Sequence, residues 1–238
     1  QKEYANLHLY APLRNGPVKN ILIYFGGTDQ SKIIEMIILA FFKLKKNDIK
    51  LNVVVSSNIK NHNKRKLKKL IKINKNIKII EEVTSLSSLI LEADLSFGAC
   101  GSTSWERLCL GLPSVIITIA DNQKKIASEL HKKKLIDWIG HYNKVSITKI
   151  KNILDFYINQ NLINWSQRCK LVTDGNGVKK VSLFLTLNSN SKFKLRLAHF
   201  NDFNSLQKNF KLKINNFIQA SFQARNKCYI LENEDNIP

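Results

Sequence analysis

Acid is scarce in this chain. Asp and Glu number 18 against 38 Lys and Arg in 238 residues, a formal net charge of +20. No DxD carboxylate pair occurs, and no acidic cluster suits Mg²⁺, so no metal is expected. The four cysteines, Cys100, Cys109, Cys169 and Cys228, form no CxxC pair and no Cys/His spacing that fits zinc. Free thiols in a reducing cytoplasm are the simplest account. There is no GxSxG elbow, no GxGxxG and no P-loop. Without a run of about 18 apolar residues, no transmembrane helix is expected. The amino terminus, QKEYANLHLY, has neither Met nor an apolar signal core. The chain is therefore expected to begin inside a longer protein.

The excess of base is concentrated. Nine residues from Lys60 to Lys78 are basic and none is acidic. Leu67, Leu70 and Ile71 follow helical spacing among Lys64, Arg65, Lys68, Lys69 and Lys72, the pattern of a solvated helix with a narrow apolar stripe. No aromatic residue interleaves the run, as stacking on bases requires. A basic nucleic-acid-binding module is thus the weaker reading, and no nucleic-acid partner is expected.

Short β-branched runs recur: ILIYF (21–25), LNVVV (51–55), IKII (77–80), LSF (95–97), SVIITI (114–119) and LIDWI (135–139). Helical patterns lie between them, at Ser31 to Lys46, Asn63 to Asn74, Ser85 to Glu92, Thr103 to Leu110 and Asn122 to Lys133. Strands alternating with helices imply a parallel sheet, and continuously apolar strands imply one covered on both faces. The pattern turns helical from Ile147 to Leu187, broken at DGNG (174–177). Residues 1–187 are read as one Rossmann-like α/β domain, the sheet starting near 18. LNSNSK (187–192) reads as a linker over 188–192. Residues 193–238 follow as a short, truncated α+β extension whose core would be marginal alone.

Ligands in such sheets sit beyond the carboxyl ends of the strands. Two glycine turns fall there: FGGTD (25–29), and the start of FGACGSTSWERLCLGLP (97–113). A glycine turn feeding a helix presents backbone N–H groups to an anion, and Ser102 and Thr103 add hydroxyl donors. A purely structural reading competes at each place. Gly26 and Gly27 make a tight turn, Asp29 is an N-cap candidate, and Ser102 or Thr103 with Glu106 could form a capping box. Asn122 and Gln123 begin a helix after the fifth strand. His62, His131 and His141 are dispersed, with His199 in the tail, and no pairing among them favours catalysis. Cys100 reads as small filler, since no nearby His would activate it.

In order, FGGTD, EADLSFGACGSTSWERLCLGLPSVIITIADNQ and DGNG resemble the C-terminal half of GT-B-fold enzymes. More narrowly they are similar to the UDP-sugar hydrolases of pseudaminic acid biosynthesis, which act on UDP-2,4-diacetamido-2,4,6-trideoxy-β-L-altropyranose. MurG-like glycosyltransferases using a UDP-sugar donor are a looser match. The resemblance covers about residues 1–187. It implies that Gly101, Ser102 and Thr103 cradle a diphosphate and that Glu106 accepts from ribose hydroxyls. It further implies that Gly26, Gly27 and Thr28 let the backbone approach the ligand. The segment Glu82, Val83 and Thr84 would hold the base, and Asn122 and Gln123 would face the sugar. UDP or UDP-sugar is the implied partner, as substrate, with no cofactor. The family's general-base His belongs to an N-terminal lobe, and no His here matches its motif. This chain alone is expected to bind UDP and not to turn it over. FKLRLAHFNDFNSLQ and KCYILENEDNIP are similar to the start of a GNAT-type N-acetyltransferase. Acetyl-CoA would be bound only by a complete domain of that kind. The sequence leaves the oligomeric state open.

Overall fold

The computed structural model describes residues 2–46, 48–72, 74–81 and 83–189, with the backbone of two further short strands. Six strands form one sheet: β1 (Asn20–Tyr24), β2 (Lys50–Val54), β3 (Ile77–Ile80), β4 (Leu95–Gly98), β5 (Ser114–Thr118) and β6 (Asp137–His141). Their order is β3-β2-β1-β4-β5-β6, and every pairing is parallel. This is the expected Rossmann-like α/β architecture. Helix α1 (Lys2–Leu7) precedes the sheet. The crossovers are α2 (Ser31–Phe42), α3 (Asn61–Ile71), α4 (Ser87–Glu92), α5 (Thr103–Cys109) and α6 (Asn122–Lys132), and α7 (Ile147–Ile158) and α8 (Ile163–Lys170) follow β6.

The apolar runs explain the layers. On β1, Ile21 and Ile23 enter one core with α2, α6, α7 and α8, while Leu22 enters the other with Tyr4, Leu86 and Ile90. All three are 2 % exposed or less, and each such burial is worth about 1.5–3 kcal/mol. Two buried serines of β4 and β5 satisfy each other: Ser96 Oγ donates to Ser114 Oγ at 2.8 Å, which donates to Leu112 O at 2.9 Å. Buried Arg14 fastens helix ends from below, donating to Ile90 O at 2.7 Å, Ala93 O at 3.1 Å and Leu110 O at 2.5 Å.

Several boundaries differ from the sequence reading, α2 ending at Phe42 and α3 at Ile71 rather than at Lys46 and Asn74. Helix α1 was not expected; its one buried residue, Tyr4, gives almost no periodic signal. Strand β6 begins two residues after LIDWI does, because Leu135 and Ile136 are buried on the approach to the sheet. The compact body spans Lys2–Gly175, and Asn176 begins a second unit. Gly175, at φ +79°, brings the chain so close to Ala5 that an added Cβ would lie 2.8 Å from its backbone nitrogen.

In the second unit, α9 (Gly177–Ser189) runs two residues into the stretch read as linker. Strands β7 (Phe193–Leu197) and β8 (Tyr229–Asn233) pair antiparallel, Leu195 opposite Leu231. Residues 190–192, most of the expected acetyltransferase start, His199 and Cys228 lie outside the described residues.

Candidate functional site

The strand order reverses direction between β1 and β4, and crevices for ligands open at that switch point beyond the strand ends. There the turns after β1, β4 and β5 enclose a cavity of about 510 Å³. Gly26, Gly27 and Thr28 line it from the first turn, Gly101, Ser102 and Thr103 from the second, and Asn122 and Gln123 from the third. Eight residues singled out from sequence thus meet in one place. Tyr24, Phe25 and Gln30, not singled out, also line it; a strand's last residues before a glycine turn are the signal that would have found the first two. None of the lining residues is charged. The starts of α2 and α6, helices of 12 and 11 residues, open beside it, so their first N–H groups and dipoles favour an anion.

The glycines divide into two kinds. Gly26 adopts φ +95°, a conformation that disfavours any side chain. Gly27 and Gly101 have ordinary φ, and a Cβ on either would meet nothing within 4 Å. Neither is required by packing; what their missing side chains leave open is the cavity.

The first turn is held from its flank. Gly27 O accepts from Ser56 Oγ at 2.6 Å and Asn58 Nδ2 at 2.9 Å. Asp29 Oδ1 accepts from Ser31 N at 3.1 Å, and Oδ2 from Lys60 N at 3.0 Å and Asn63 Nδ2 at 2.9 Å. The N-cap of α2 is Gln30, without a side-chain cap bond, so Asp29 is chiefly a clamp onto the start of α3. Partial burial disfavours its charge, but these donors prevail and hold the carboxyl well below the usual carboxylate range.

The second turn is held from beneath. Arg107, 2 % exposed, donates from Nη2 to Ala99 O at 2.6 Å and to Ser104 Oγ at 3.3 Å. Its Nη1 packs against Gly98, where a Cβ would overlap it and stand 2.5 Å from Tyr24 O. Burial pulls the guanidinium down to about 10. Burial likewise pushes the Cys100 thiol up, keeping it an inert filler. The capping-box alternative fails at Ser102, which is helical at φ −54°, ψ −37°, and makes no cap bond. An N-cap acceptor needs an extended backbone at that position.

In the third turn, Gln123 Oε1 accepts from Ile119 N at 3.0 Å, which fixes the turn and leaves the amide Nε2 as the group able to serve a ligand. Glu106, Val83 and Thr84 lie outside the cavity lining, and Glu82 outside the described residues. Glu106 is half-buried and accepts from the Tyr4 hydroxyl. Burial pushes the Tyr4 phenol up to about 12, with Ser85 opposing and Glu106 adding to the rise. Tyr24, which does line the cavity, is raised by burial and then by the same carboxylate.

Among the described residues the histidines are dispersed. His131 Nδ1 accepts from Trp138 N at 3.0 Å, His141 Nδ1 meets Thr118 Oγ1 at 3.1 Å, and His8, which the sequence reading passed over, meets Cys109 O at 2.7 Å. The helical part of the Lys60–Lys78 run, α3, presents basic residues around buried Leu67, with Lys64 and Lys68 paired to Glu81, and Lys78 lies on β3. A hollow of about 610 Å³ beside it lies along the outer edge of β3, two strands from the switch point. Among the described residues no three His, Cys, Asp or Glu gather as a metal-holding group, and no helix is long and apolar enough to cross a membrane.

The doubly wound parallel sheet with its glycine turns gathered at the switch point is Rossmann-like, and the comparisons make it the C-terminal half of a GT-B fold. The chain belongs to the glycosyltransferase family 28 C-terminal domain family, whose model matches residues 21–169. It is 30% identical over 122 residues to an uncharacterized protein of Methanocaldococcus jannaschii, covering 50% of this chain and 25% of that protein; the chain spans a quarter of that relative's length. Among solved structures it is similar to MurG of Acinetobacter baumannii, with a TM-score of 0.61, 17% identity, and coverage of 76% of this chain and 55% of that one. It is also similar to a UDP-GlcNAc 2-epimerase from Neisseria meningitidis bound to UDP-GlcNAc, with a TM-score of 0.53, 17% identity, and coverage of 79% and 48%.

Proposed function

We propose that this chain is the nucleotide-binding half of a UDP-sugar enzyme, and that the reaction is release of UDP from UDP-2,4-diacetamido-2,4,6-trideoxy-β-L-altropyranose by water. One observation carries the binding reading: Gly27 and Gly101 face open cavity space that nothing in the protein fills. Diphosphate oxygens lie against Gly101, Ser102 and Thr103, with Gly26, Gly27 and Thr28 on the opposite wall. Glu106 accepts from the ribose hydroxyls, Val83 and Thr84 border the base, and Asn122 and Gln123 face the sugar. Water attacks the anomeric carbon, the bond to the diphosphate oxygen breaks, and UDP leaves with that electron pair. Amide and hydroxyl donors stabilise the charge growing on it. The activating base belongs, by family resemblance, to an N-terminal lobe.

Calorimetric titration of the 238-residue chain with UDP tests the binding. Measurable affinity is expected, weakened about tenfold by Glu106→Ala, since hydrogen bonds to a charged group are worth about 1.5–3 kcal/mol. No binding at millimolar UDP, or an unchanged affinity in the variant, counts against the reading. The chain alone should release no UDP from a UDP-sugar. The family match and the likeness to MurG favour a second reading, a glycosyltransferase in which an acceptor replaces water. Release of UDP by the whole protein without any acceptor separates the two.

A further inference from the structure

Arg107 is a buried cation that the fold does not fully use. Its Nε is shielded from solvent and has no hydrogen-bond partner. The guanidinium is spent on one carbonyl, Ala99 O, and one weaker contact to Ser104 Oγ. The nearby carboxylate of Glu106 stabilises its charge, and that carboxylate also takes the Tyr4 hydroxyl. A neutral side chain could tie one carbonyl without burying a charge. The guanidinium lies between Gly98 and Ala99 at the end of β4 and Tyr24 O at the end of β1, directly under the two turns that wall the cavity.

We propose that Arg107 is the built-in counter-charge of the bound diphosphate, a positioning residue that draws the anion through the turn it supports and never touches it. This rests on the reading of the cavity as a diphosphate site. In a cavity whose lining carries no charge, a cation just beneath the floor acts through a low-dielectric wall, where its field is weakly screened. It attracts a nucleoside diphosphate and does nothing for a bare nucleoside.

The experiment is titration of the 238-residue chain with UDP and with uridine, for the wild type, Arg107→Met and Arg107→Lys. Arg107→Met should lose UDP affinity about tenfold or more while uridine affinity stays within about twofold, and Arg107→Lys should recover most of the loss. Equal losses for both ligands, or none, overturn the proposal and leave the site reading standing. A wild type that binds no UDP overturns both. Should a variant fail to fold, the wild type decides by NMR. The Arg107 Nε–H signal should shift on adding UDP or inorganic pyrophosphate and stay put with uridine; a signal unmoved by saturating UDP overturns the proposal.

Discussion

The turns after β1 and β4 face each other across one cavity and are fixed in opposite ways. The first is held laterally by the β2–α3 connection, through exposed and half-exposed polar groups that converge on Gly27 O and Asp29. The second is held from the core, by an arginine threaded under Gly98 to reach Ala99 O. The lateral clamp is a set of separable hydrogen bonds, one of whose members titrates. The core clamp is a single side chain in a tight slot, which steric change should break all at once. A lateral clamp also couples the first turn to α3, whereas the second is tied to β4 and α5.

The largest effect should therefore come from the slot. Gly98→Ala places a methyl group on the Arg107 guanidinium and 2.5 Å from Tyr24 O. Neither can retreat, since one is strand backbone and the other is fully buried. Overpacking of this kind usually costs about 1–3 kcal/mol and occasionally more; with a charge trapped in the clash, about 3 kcal/mol or more is expected. A loss of stability in urea of less than about 1 kcal/mol would show that the second turn has slack.

Next is Asp29, where the two clamps differ in kind. Asp29→Asn sets amide hydrogens against the donors Lys60 N and Asn63 Nδ2, and should cost about 1.5 kcal/mol at pH 7, the scale of a charged hydrogen bond. Because the folded carboxyl is held below its ordinary value, its contribution is complete above about pH 4, where the unfolded group ionises, and fades as pH falls through the folded value. The gap between wild type and variant in chemical denaturation should thus narrow between pH 4 and pH 2. An identical gap at pH 7 and pH 2.5 would remove the carboxylate from the account.

That contrast also divides what was legible from what was not. The six strands could be read within about two residues, since β-branched runs bury both faces of a parallel sheet, and the glycine turns could be read because they follow strands. Asp29 looked like a cap because its deciding partners lie 31 and 34 positions away. Arg107 was not legible: an Arg beside a Glu on a helix reads as solvated, and only the small residues Gly98 and Ser104 hint at room for it. Glu106 was read as near the ligand or as half of a capping box. The second fails on the helical backbone of Ser102, and the carboxylate instead meets Tyr4, on a helix whose sequence carries almost no periodicity.

The smallest change in stability should come from the positions that matter most to the ligand. Gly27→Ala and Gly101→Ala add a methyl group that meets no protein atom within 4 Å, at backbone angles alanine accepts. Replacing Gly by Ala where the conformation allows it tends to stabilise, by about 0.4–1 kcal/mol, because the unfolded chain loses freedom. Both variants should melt at or slightly above the wild-type temperature. If these glycines serve the fold, nothing further follows and UDP affinity stays as it was. If they keep the cavity open for a diphosphate, each methyl group occupies ligand space, and UDP affinity should fall about three- to tenfold while stability does not. Gly26→Ala is the control: at φ +95° it strains the backbone, so it should lose stability as well as affinity. Stable variants at 27 and 101 with unaltered UDP binding would return both turns to a purely structural role.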